Sequence, residues 1–129
     1  MISTSAFDYI NVLDKAADAS WTRESLITNN IANVNTPNYK RRDLNFESVL
    51  NEQLGSCKHE SLDAKMRTVD LGQLNPMTYT DHSSLSYRLD GNNVDIDTEE
   101  AELASEQIKY QALTTSISKE FSRMKSVIK

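Results

Sequence analysis

The chain is poor in the residues that build turns, staples and catalytic centres. Of its 129 residues only 3 are Gly and 2 are Pro, too few corner formers for a many-stranded sandwich or barrel. Its one cysteine, Cys57, excludes an internal disulfide and a thiolate metal cluster, and reads as a free thiol. Histidine occurs only at His59 and His82, without helical spacing or a third ligand, so zinc is not expected and both read as polar loop residues. Aromatics make up 7% and hydrophobics 38%, and the mean hydropathy of -0.57 keeps much of the surface wet. No apolar run approaches membrane-spanning length and no basic, then apolar, leader opens the chain; neither a cleaved signal nor direct membrane insertion is expected. With a net charge of -5, attraction to nucleic acid is not expected either.

What remains is a mainly α chain of one domain, organised around Asn29–Lys40. Five of those twelve residues are asparagine, a poor helix interior residue that tolerates termini and left-handed turns. Pro37 biases Thr36 out of the helical region, so a helix arriving from the N-terminal side stops near Val34 or Asn35. Upstream, seven-residue spacing relates Ala6, Leu13, Ser20, Ile27 and Val34, and likewise Ile10, Ala17, Glu24 and Ile31. Ser20 and Glu24 dilute this seam, while Trp21 reads as an interface or core residue.

Downstream, Tyr39-Lys40-Arg41-Arg42 reads as a solvated or partner-facing patch. Asp43 or Asn45 can cap a short helix that Gly55 ends, with Phe46, Val49 and Leu50 on one face. From residue 56 the periodicity fades. Met66–Leu71 and Leu85–Leu89 alternate like weak strands, either a flexible insert or a small β-hairpin, with no obvious core. The acids around Gly91 lack calcium-loop spacing and read as a turn, with Asp97 capping the last helix. That helix runs from about Thr98 to Val127, and its column Leu103, Tyr110, Ile117 and Met124 is joined four residues on by Phe121. The terminal helices, each about 45 Å long at 1.5 Å per residue, are expected to pair along much of the molecule. The divisions are 1–35, 36–95 and 96–129. No nucleophile, base and acid cluster or phosphate loop is present, and acidic pairs such as Asp95/Asp97 suit a helix start, so an enzyme and a cofactor are not expected.

The run Asn30-Ile31-Ala32-Asn33-Val34-Asn35-Thr36-Pro37-Asn38-Tyr39 resembles the N-terminal signature of bacterial flagellar rod and hook proteins. The short chain, Tyr39–Asp43 leading to Phe46, and Asn92-Asn93-Val94-Asp95 before a helix with Tyr110-Gln111 place the resemblance nearest the proximal rod members. Asn38 stands where many members have Gly; as Asn tolerates positive φ, the turn is expected to survive. The resemblance implies a structural subunit of the periplasmic rod, exported uncleaved by the type III apparatus. Its long terminal helices would pair as a coiled coil and pack against neighbouring subunits, polymerising into a tube around the export channel. Implied partners are copies of itself, other rod subunits, the protein joining membrane ring to rod, and the export gate. Phe46 and Leu50 resemble a gate-engaging element. Another proximal rod subunit and a soluble helical adaptor or export chaperone are the alternatives.

Overall fold

The structure, a computed structural model, describes residues 5–55, 60–82 and 88–128. Two long helices dominate it, α1 (Ser5–Ala32) and a last helix (Ile96–Ile128). Between them lie β1 (Arg42–Asn45), α2 (Glu47–Gly55), α3 (Leu62–Thr68) and β2 (Met77–Thr80), which makes the last helix α4. Ser20 bonds Glu106, Arg23 bonds Glu102 and Asn30 bonds Glu99, so α1 and α4 run antiparallel as a pair.

α1 buries two faces. Ile10, Ala17 and Ile27 are buried on the face that Ser20 and Asn30 share by helical spacing, towards α4. A second column, Val12, Ala19 and Leu26, also at sevens, packs on Leu44, Phe46 and Leu74. The expectation of a coreless middle segment is therefore overturned: Leu74 is fully enclosed and Phe46 is 6% exposed, with Val49, Leu50, Met66, Val69 and Leu71 packed around them. Burial of these apolar side chains stabilises by about 1.5–3 kcal/mol each, which draws the short elements onto α1.

The small sheet is antiparallel, with Arg42 opposite Thr80 and Asn45 opposite Met77; α2 and α3 separate its strands in sequence. Met66 to Thr68, expected as the start of a strand, are helical in α3 instead. Ser61 caps that helix by accepting the Ala64 N–H at 3.3 Å, a local signal that outweighs a short alternating pattern. The strands at 85–89 and the residues Cys57 and His59 lie wholly or largely outside the described residues. α2 runs to Gly55, where this described stretch also ends. Asp43 caps nothing, because it lies within β1. For α4 the cap is Asp95 rather than Asp97: its carboxylate accepts the Asp97 N–H at 3.2 Å and the Thr98 hydroxyl at 2.9 Å. Asp97 and Glu99 stand in the first turn of α4, which begins at Ile96.

Candidate functional site

The candidate features are a polar clamp at one end of the helix pair and the apolar surface that this pairing leaves open. The clamp begins where α1 stops. Asn33 N–H bonds to Asn29 O at 3.1 Å and Thr36 N–H to Asn33 O at 3.0 Å, which tightens the chain into Pro37. Asn38 then takes φ 60, the left-handed conformation that Asn tolerates, and donates its N–H to Asp90 O at 2.7 Å. A Cβ on Gly91 would meet the Asn38 side-chain oxygen at 2.6 Å, and Gly91 has φ 76; the two turns interlock only with glycine there.

Two buried asparagines hold this corner. Asn30 presents its amide to β1 as a neighbouring strand would: Oδ1 accepts the Arg42 N–H at 2.9 Å and Nδ2 donates to Arg42 O at 2.8 Å. The same Nδ2 reaches Glu99 at 3.0 Å, and Tyr39 Oη donates to Asn30 Oδ1 at 3.1 Å. Asn92 Nδ2 donates to the carbonyls of Asn33, Val34 and Thr36 at 2.9–3.0 Å, caring for acceptors left over where α1 ends. Asn93 joins the Arg41 N–H to Asp81 O.

Beside the corner, two guanidinium groups are each shared among acids from different elements. Arg23 of α1 holds Asp43 at 2.8 Å, Glu102 at 2.9 Å and Glu106 at 2.9 Å. Arg41 holds Glu99 at 2.7 Å, Asp81 at 3.0 Å and Asp43 at 3.1 Å. Burial pushes the Asp43 carboxyl up, but the Arg23 hydrogen bond, the Leu44 N–H and both guanidinium charges outweigh it and hold the group below its ordinary range. Lys109 likewise draws Glu47 down. Hydrogen bonding to Asp43 raises Arg23, and for Arg41 the bonds to Glu99 and Asp81 overcome the opposing effect of burial. Among the described residues every buried side-chain nitrogen and oxygen has a partner, and no three acids, cysteines or histidines are placed to hold a metal. This is an arrangement for holding elements in register.

Several sequence expectations change here. Tyr39 to Arg42 do not present a free patch: Tyr39 bonds Asn30, Lys40 bonds Gly91 O, Arg41 turns into the acid cluster, and Arg42 alone keeps an exposed side chain. Ser20 and Glu24 do not weaken the seam, since Ser20 donates to Glu106 at 2.7 Å and Glu24 accepts from Gln107 at 3.2 Å. Of the residues expected at the helix interface, Ile10, Ala17 and Ile27 are buried and Leu13, Ile31, Leu103, Tyr110, Ile117 and Met124 are half-buried; Phe121 is exposed. Within the hinge motif Asn30 is buried, Ile31 and Asn33 are half-buried, and Ala32, Thr36, Pro37 and Asn38 lie on the surface. Trp21 is no core residue, at 64% exposed, and Ile108 is 69% exposed; Phe7, Val127 and Ile128 also face outward. Sequence reasoning missed Arg23, Glu99 and Glu106. Their signal was the seven-residue spacing of the two glutamates, a helix-facing column written in acids.

The chain matches the family model for flagella basal body rod proteins over residues 14–40, from the third turn of α1 through the corner. It is 36% identical over 120 residues to the flagellar basal body rod protein FlgB of Bacillus subtilis, covering 92% of each chain. The chain belongs to the flagellar basal-body rod family. The FlgB of Borreliella burgdorferi is 33% identical over 119 residues, 83% of this chain and 85% of its own, and that of Cereibacter sphaeroides 31% over 123, 95% and 94%. Membership thus spans both rod-family helices and the middle segment. The family match takes in Arg23, Asn30 and Asn38, one side of the clamp; Asn92, Glu99 and Glu106 supply the other from the opposite end of the chain. No helix among the described residues is long and apolar enough to cross a membrane.

Proposed function

We propose that this rod-family protein is a structural subunit of the proximal rod. It polymerises through its terminal helices, as a single domain, into the tubular shaft that joins the membrane ring to the distal rod and encloses the export channel. The observation that carries this reading is the apolar surface left on paired helices: Trp21 on α1, and Ile108, Phe121, Val127 and Ile128 spread along α4. Long amphipathic helices that keep large side chains exposed after pairing suit completion by neighbours. The clamp supports it, because a subunit that transmits torque needs its corner rigid. Its partners would be copies of itself, other rod subunits and the ring–rod junction protein, in the periplasmic part of the basal body.

Uncleaved type III export belongs to the same reading, with Phe46 and Leu50 as the gate-engaging element. In the folded chain Phe46 is buried and Leu50 half-buried, so the gate would meet them only in an unfolded chain. Deleting the gene and imaging basal bodies in cells by electron tomography tests the main reading. Loss of all rod beyond the inner-membrane ring is expected; an intact rod lacking a single exported protein would favour an export chaperone instead.

A further inference from the structure

The two-stranded sheet is largely closed on one edge and open on the other. Asp81 donates its N–H to Arg41 O at 2.9 Å, which marks that opposed pair as hydrogen-bonded. In an antiparallel ladder such pairs alternate, so Asp43–Tyr79 and Asn45–Met77 exchange bonds while Arg42–Thr80 and Leu44–Thr78 point their main-chain groups away from each other. On β1 three of the four outward groups are occupied: Asn30 takes both groups of Arg42, and the Asp43 carboxylate takes the Leu44 N–H at 2.7 Å. On β2 the outward N–H and C=O of Thr78 and Thr80 bond nothing among the described residues.

Native edges are blunted by charge, proline or a bulge. Met77-Thr78-Tyr79-Thr80 carries none of these, although Pro76 ends the usable edge on one side. All four strand residues are exposed, Met77 at 71% and Tyr79 at 46%. A lone pair of short strands is marginal, and further strands stabilise it.

We infer that β2 is an interface for a second copy of this chain, pairing edge to edge and antiparallel about Tyr79. The register is self-complementary. Because the free groups sit on Thr78 and Thr80, either side of Tyr79, Thr78 of each copy lies opposite Thr80 of the other, and each such pair exchanges two bonds. Tyr79 meets Tyr79 of the second copy in a non-hydrogen-bonded pair, where side chains stand closest and aromatic pairs stabilise. Met77 falls opposite Asp81, so no like charges face each other across the strands. Four residues per copy make a small contact, so the pair is weak. It is isologous and closes at two copies, whereas a tube needs a contact that propagates. The pair therefore belongs to the free subunit, and this inference stands apart from the rod reading.

Placing Tyr79→Cys on a Cys57→Ser background tests it. Mild oxidation of concentrated protein should yield a covalent dimer, because the two thiols meet on the symmetry axis. Adding Thr78→Pro removes an outward donor without touching the β1 ladder and should lower the yield about tenfold or more. The double variant Thr78→Lys/Thr80→Lys, which sets like charges opposite each other, should do the same and covers the case in which the proline variant misfolds. No covalent dimer, or a yield unchanged by a folded Thr78→Pro or by the lysine pair, would overturn the inference.

Discussion

Asn30 shows how much of this molecule rests on single side chains. One amide satisfies both main-chain groups of Arg42, reaches Glu99 and accepts from Tyr39, all at an enclosed position. Asn30→Ala strands two backbone groups and part of a buried carboxylate, at roughly 1–3 kcal/mol for each group left without a partner. Urea unfolding should show a loss of several kcal/mol, much larger than for Asn29→Ala at the exposed neighbour. Phe46 makes the apolar counterpart. Phe46→Ala should destabilise by about 3–5 kcal/mol, because a fully packed ring is deleted against Leu44, Leu74 and α1. Any export defect of that variant must therefore be read beside its urea midpoint, and Phe46→Leu, which refills much of the space, should recover most of the midpoint.

At the scale of elements, the clamp ties α1, β1 and α4 through two arginines and a set of acids, and this makes the fold acid-sensitive. Asp43 is held below its ordinary value of 3.8, and Glu47 below 4.5. A carboxylate depressed in the folded state contributes stability that is full above its unfolded pKa and lost as pH falls through the folded one. The melting temperature should stay level from pH 7 to about pH 5 and then fall through and below pH 3.8. Asp43→Asn should lower it at pH 7 and flatten the acid limb. Melting followed by circular dichroism checks both.

The same elements show what was legible in the chain. Pro37 and the asparagine run placed the end of α1 within a few residues, and the heptad columns identified the paired helices, because both signals are local. The turn at Gly91 and the tolerance of Asn38 for positive φ were also local chemistry. β2 was not legible, since its partner β1 lies across two helices in sequence. Nor was the second buried face of α1: Val12, Ala19 and Leu26 look like a diluted stripe until the middle segment is laid on them. The role of Arg23 and Glu106 needed the antiparallel register, which brings together residues 83 apart.

The whole molecule joins a rigid corner to an incomplete surface. The clamp satisfies its own polar groups, so it demands nothing from outside. Trp21, Ile108 and Phe121 stay uncovered after α1 and α4 have paired, and those are the residues that assembly would cover. The measurement that addresses this most directly is a cryo-electron microscopy map of purified basal bodies at side-chain resolution. This chain is expected in the proximal rod, its antiparallel helix pair and Asn30–Asn92 corner intact, with Trp21, Ile108 and Phe121 buried against neighbouring subunits. A proximal rod built without this chain, or one in which those three side chains face solvent, would contradict it.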